Sequence, residues 1–111
     1  MGQKRFILFC DLQENEEMIQ EYEKFHEQIP AAIESSIRDA GIISMEIFRA
    51  GNRMVMEIIA KEDFSFDLKA QMDLTNPAVI QWEALMSTFQ KTIPSAKENE
   101  KWVLGTQIFK L

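Results

Sequence analysis

The chain contains one histidine and one tyrosine, His26 and Tyr22, and they are four residues apart. On a helix this spacing places both side chains on the same face. Histidine is the side chain that most readily exchanges protons near neutral pH, so His26 is the first candidate for acid–base chemistry. The spacing leaves one alternative open, a helical surface histidine with no catalytic task.

Few other residues could share a site with this pair. Glu46 and Glu57 lie on predicted strands with Arg53 nearby, and Trp82 lies on a predicted helix. A sugar needs such a set, because one face of a pyranose rests on an aromatic ring while its hydroxyls need aimed donors and acceptors. The alternatives are a core role for Trp82, solvated carboxylates, and a solvated hairpin end for Arg53.

Composition and charge exclude several classes of function. The net charge of -6 argues against a nucleic acid partner and against an anionic membrane surface. With Cys10 as the only cysteine and His26 as the only histidine, neither an internal disulfide nor a zinc set of these residues is expected. We find no apolar run of the ~20 residues that cross a bilayer and no export signal, so we expect a cytoplasmic protein.

The periodicity of apolar residues predicts alternating strands and helices. The predicted strands are residues 4–12, 42–50, 53–61 and 101–110. The predicted helices run to about residue 28, from about 30 to 40 beyond a kink at Pro30, from 66 to 74, and onward from Asn76-Pro77.

This order, β-α-β-β-α-β over a single domain of residues 1–111, indicates a ferredoxin-like α+β fold. Both faces of the sheet carry apolar residues, whereas helices cover only one of them. We therefore expect a homodimer that buries the second face, a dimeric α+β barrel, with the site in a cleft between sheet and helices.

Short motifs along nearly the whole chain point to one family. In chain order they are Arg5-Phe6-Ile7-Leu8, Glu21-Tyr22-x-x-x-His26, Asp39-Ala40-Gly41-Ile42, Met45-Glu46-Ile47-Phe48, Gly51-Asn52-Arg53-Met54, Asn76-Pro77, Gln81-Trp82-Glu83-x-Leu85-Met86 and Glu100-Lys101-Trp102-Val103-Leu104. In their order and spacing they resemble the L-rhamnose mutarotase family, and the later ones resemble its L-fucose mutarotase-like branch.

The resemblance implies a small homodimeric barrel that interconverts the α and β anomers of a 6-deoxy-L-hexose such as L-fucose or L-rhamnose, with no cofactor. It makes His26 the catalytic acid/base, Tyr22 a substrate-binding residue and Trp82 a sugar-stacking residue. Glu46 and Arg53 are additional candidates for holding hydroxyls or orienting His26.

The chain departs from the rhamnose enzymes at three places. Pro30-Ala31 stands where they carry Trp-Pro, Glu83 replaces a second tryptophan, and Met45 replaces a binding tyrosine. These changes fit a pocket shaped for L-fucose or another aldose.

Two other functions are compatible with the same barrel. One is a cofactor-free monooxygenase or a haem-degrading protein, in which His26 would be the one available histidine ligand. The other is a non-catalytic module that binds a small molecule or a protein.

Overall fold

The computed structural model describes residues 2–111, which form one antiparallel sheet with four helices. The strands are β1 Gln3–Leu12, β2 Ile42–Ala50, β3 Arg53–Lys61, β4 Gln90–Lys91 and β5 Val103–Leu104. The helices are α1 Glu16–Phe25, α2 Ala31–Asp39, α3 Phe66–Leu74 and α4 Pro77–Ser87.

The strands lie in the order β2-β3-β1-β4, and β5 pairs with β1 beside β4. β4 and β5 together thus occupy the position of the fourth strand in the predicted pattern. Each of the two helical segments in that pattern consists of two helices. The prediction of a ferredoxin-like α+β fold is confirmed.

The hairpin of β2 and β3 has the bounds that the alternation predicts. Gly51 turns the chain with a φ of +61°, a conformation that favours glycine. The pairing shifts between Ile42 and Ser44, which marks a bulge near the start of β2. Because of this bulge, Ile42 is buried and Ile43 is exposed.

The first helix is shorter than predicted. α1 ends at Phe25, with His26 as its C-terminal cap, and α2 begins after Pro30 as a separate helix. The side chain of Asn15 caps the start of α1 by accepting a hydrogen bond from the Met18 N–H at 3.0 Å. A break, rather than a kink, therefore follows His26.

The prediction of a last strand over residues 101–110 is wrong in its extent, because only Val103–Leu104 forms a strand, β5. The Gly105 N–H still donates to the Ile7 carbonyl at 2.7 Å, but residues 106–111 pair with no strand of residues 2–111. This tail leaves Ile108 93% and Phe109 75% exposed. The tail has the alternation of a strand but no partner within the chain.

The two faces of the sheet differ in their cover. The helices pack on the face that carries the buried side chains of Leu8, Cys10, Leu12, Met54, Met56 and Ile58. The other face, here called the open face, has no helix on it. Its larger apolar residues include Ile7, Phe9, Phe48, Val55 and Ile59.

Candidate active site

A cavity of about 300 Å³ lies between the helices and the covered face of the sheet. Its size is at the lower end of the roughly 300–1,000 Å³ typical of small-molecule sites. Tyr22, His26 and Trp82 line it together, as the sequence predicts. α1 supplies the tyrosine and the histidine that follows its last turn, and α4 supplies the tryptophan.

The position of His26 at the end of α1 fixes which ring nitrogen is free. His26 Nδ1 lies 2.8 Å from the carbonyl oxygen of Tyr22. A carbonyl oxygen only accepts, so Nδ1 carries the proton and donates it. In the neutral ring Nε2 then holds the lone pair, which makes it the atom that can take a proton from a ligand.

Tyr22 is buried at 4% exposure, and its ring stacks on that of His26 with centroids 4.4 Å apart. The phenolic oxygen accepts a hydrogen bond from Gln90 Nε2 at 3.1 Å. Burial raises the pKa of Tyr22 to about 12, with the Gln90 hydrogen bond acting in the opposite direction. The phenol is therefore protonated across the neutral range and is available as a hydrogen-bond donor.

We expect this burial to make stability fall in alkaline solution. The folded state disfavours the phenolate. The resulting contribution of Tyr22 to the free energy of unfolding is therefore complete below the ordinary pKa of 10.0 and is lost as pH rises towards about 12. Within that window each pH unit should cost about 1.4 kcal/mol. Urea unfolding between pH 8 and 11 should show that the free energy of unfolding falls less steeply with pH in Tyr22→Phe than in the wild type. Equal slopes would contradict the assignment.

Apolar side chains form the remaining walls of the cavity. His26 and Trp82 meet edge to face with ring centroids 5.6 Å apart. Trp102 also lines the cavity, and three methionines, Met45, Met56 and Met86, line the sheet and helix walls. The walls therefore combine flat aromatic rings with flexible thioether chains.

A wider groove lies outside the cavity, along the β2 edge and the segment between α1 and α2. His26, Ile37, Met45 and Ile47 line both spaces and so stand between them. A ligand that entered through this groove would meet His26 at the mouth of the cavity.

Glu46 and Arg53 are not brought to this cavity. Glu46 pairs directly with Glu57 across β2 and β3, on the open face. Arg53 lies on the same face and forms a bidentate ion pair with the buried carboxylate of Asp11. Its Nε lies 2.8 Å from Oδ1 and its Nη2 lies 3.0 Å from Oδ2. The sheet therefore separates both predicted binding residues from His26.

Several cavity residues lie outside the predicted set. Trp102, Gln90 and Lys69 line the cavity, as does Glu83. Trp102 could have been suspected as the second tryptophan of the chain. Lys69 Nζ forms a salt bridge with Asp73 Oδ2 at 2.6 Å, and Lys101 Nζ forms one with Glu83 Oε2 at 3.3 Å. No local pattern marks Gln90, because it reaches the site only through the pairing of β4 with β1.

A family model and a curated relative indicate the family of this chain. Residues 5–111 match the family model described as L-rhamnose mutarotase. An L-fucose mutarotase of Xanthomonas campestris pv. campestris is 36% identical over 113 residues, which cover 100% of this chain and 90% of that protein. A UPF0734 protein of Dictyostelium discoideum is 31% identical over 99 residues, or 87% and 78% of the two chains.

The crystal structure of an L-rhamnose mutarotase from Formosa agariphila has the same fold. The TM-score is 0.70, with 97% of this chain and 98% of that chain covered, at 16% identity. Within residues 2–111, no helix is long and apolar enough to cross a membrane. Nor does this part of the chain gather three or more His, Cys, Asp or Glu side chains into a metal-binding group.

Proposed function

The chain belongs to the L-rhamnose mutarotase family, and on this basis we propose that it interconverts the α and β anomers of a 6-deoxy-L-hexose, L-fucose or L-rhamnose. It is accordingly an isomerase that acts on a carbohydrate. The observation that supports the proposal is the cavity that three side chains line together: His26 with Nε2 as its free nitrogen, Tyr22 with a protonated phenol, and Trp82.

We assign the acid–base role to His26. Nε2 takes the proton of the anomeric O1 hydroxyl, the C1–O5 bond breaks and O1 becomes the aldehyde oxygen. The same nitrogen returns the proton to O5. The open aldehyde turns about C1–C2, and closure on the other face reverses these steps and gives the second anomer. No atom is gained or lost, so one positioned acid/base is sufficient for the chemistry.

Tyr22 and Trp82 are assigned to substrate binding. The Tyr22 oxygen already accepts from Gln90, so its own hydrogen is free to donate to a sugar oxygen. The Trp82 ring offers a flat apolar surface for the C–H face of the pyranose. We leave Glu46 and Arg53 out of the assigned site because they lie on the open face.

We extend the proposal to a homodimer that buries the open face. Ile7, Phe9, Val55 and Ile59 are only half-buried there, and Phe48 is 56% exposed. An apolar sheet face of this kind is usually covered by another layer. The tail of residues 106–111 also has apolar side chains without cover, which a second copy could provide. Two such sheets face to face would form the dimeric α+β barrel.

We propose the cytoplasm as the location. The single cysteine, Cys10, is a free and fully buried thiol. Burial raises its pKa to about 11, which keeps it protonated and unreactive. A free thiol of this kind is suited to a reducing compartment.

The test of the function is anomer exchange of the wild-type protein. Saturation transfer between the anomeric NMR signals should show faster exchange of L-fucose and L-rhamnose than in buffer, and slower exchange of aldoses that keep the 6-hydroxyl. Binding without exchange would instead indicate a non-catalytic module. Exchange at the buffer rate for every sugar would refute the proposal.

A further inference from the structure

Gln90 is fixed in the site through its backbone. It is the first residue of β4 and pairs with Leu12 on β1. Its carbonyl oxygen accepts a hydrogen bond from Gln13 Nε2 at 3.1 Å. These contacts leave the side chain as the part of the residue that reaches the cavity, where it meets Tyr22.

Within the described chain, only one of the two polar atoms of the Gln90 side-chain amide forms a hydrogen bond. Nε2 donates to the Tyr22 phenol, 68 residues away in the chain. Oε1 is buried and accepts no hydrogen bond from any residue in the range 2–111. A buried polar atom left without a partner destabilises the folded state, so native proteins contain few of them and each needs an explanation.

The amide and the phenol together form a matched pair for a hydroxyl-bearing ligand. The phenol accepts from Gln90 and so directs its own hydrogen elsewhere, while Oε1 offers a free acceptor. If the amide were turned by half a rotation, its oxygen would accept from the phenol and its nitrogen would be the free group. In both orientations one atom of the amide lacks a partner, and a sugar hydroxyl can both donate and accept.

We propose that Gln90 is a specificity-determining residue of the site, which binds one sugar hydroxyl through its amide oxygen and positions the Tyr22 phenol through its amide nitrogen. This inference rests on the proposed mutarotase function. A site that hydrogen-bonds a hydroxyl rejects an analogue that lacks it, because the buried partner is then left unpaired. Gln90 would thus select for the presence and orientation of one hydroxyl.

The experiment compares Gln90→Met with the wild type on L-fucose and on its 2-, 3- and 4-deoxy analogues. Methionine has a similar length but lacks the amide. We expect Gln90→Met to raise KM for L-fucose about tenfold with a smaller change in kcat. For one deoxy sugar the wild type should show a similar loss. On that sugar Gln90→Met should cause a smaller further loss than it causes on L-fucose, because only the positioning of Tyr22 remains to be lost.

A second readout tests the positioning role separately. Tyr22 is the only tyrosine, so ¹³C-labelled tyrosine gives one Cζ signal. That signal should shift in Gln90→Met and stay unchanged in the matched control Gln20→Met, which alters an exposed residue of α1. The control should also retain the wild-type KM.

Failure of this inference can be told from failure of the proposed function. In one outcome the wild type exchanges the anomers while Gln90→Met keeps the wild-type KM, or raises KM by the same factor for L-fucose and for every deoxy sugar. Either result overturns the role of Gln90 and leaves the function standing. If the wild type binds without exchange, the function fails and the same comparison of dissociation constants tests Gln90. If it neither binds nor exchanges any of the sugars, both are overturned.

Discussion

Replacing His26 with alanine is expected to slow catalysed anomer exchange by about 10²–10⁴-fold, the usual contribution of a positioned general acid/base. The change removes the only imidazole of the chain. The fold should survive, because His26 is only half-buried and caps α1 through its backbone N–H, which donates to the Glu23 carbonyl at 3.0 Å. Saturation-transfer NMR on L-fucose and L-rhamnose measures the effect.

His26→Asn is the matched variant for this experiment. An asparagine amide can occupy the place of Nδ1 and donate to the Tyr22 carbonyl, but it has no basic nitrogen. We expect it to be as slow as His26→Ala while sugar binding persists. Added imidazole should partly restore exchange in the alanine variant, since it supplies the missing base. Exchange at the wild-type rate in either variant would remove His26 from the catalytic role.

The second large effect concerns the open face. Phe48→Glu is expected to weaken the proposed homodimer by a factor of about 10²–10⁴, because a two-fold interface contains the residue twice and each buried phenylalanine contributes about 1.5–3 kcal/mol. Phe48 is already more than half exposed in the single chain, so the fold of the monomer should be little affected. Sedimentation velocity over a range of concentrations measures the shift from dimer to monomer.

Leu74→Glu is the control for this shift. Leu74 is an exposed apolar residue at the end of α3, on the helical side of the molecule. The same change of charge there should leave the dimer intact. A wild-type protein that sediments as a monomer at every concentration, or a Phe48→Glu variant that remains dimeric, would contradict the proposed interface.

The first three strands were predictable because alternation is a local signal. The bounds of β2 and β3 follow from it directly, as does the separation of each strand into two faces. Alternation does not say which face meets the helices. Glu46 and Arg53 looked close to His26 for this reason, whereas the pairing of Arg53 with Asp11 places it on the open face.

The missed parts of the site depend on contacts between distant segments. Gln90 reaches Tyr22 only because β4 pairs with the end of β1, and no spacing within the sequence records that pairing. The tail shows the converse: it has the alternation of a strand, but it pairs with no strand among residues 2–111. Tyr22 and His26 lie together as their spacing predicts, because α1 and its C-terminal cap position both.

The three methionines of the cavity bear on substrate choice. Met45, Met56 and Met86 have unbranched, polarisable chains that change rotamer at little cost, unlike valine or isoleucine. In the proposed site, a wall of this kind would adapt to aldoses that differ in the orientation of one hydroxyl, so steric exclusion would contribute little to discrimination. Selectivity would then come from the polar groups, and a variant with isoleucine at these positions should accept a narrower range of sugars than the natural chain.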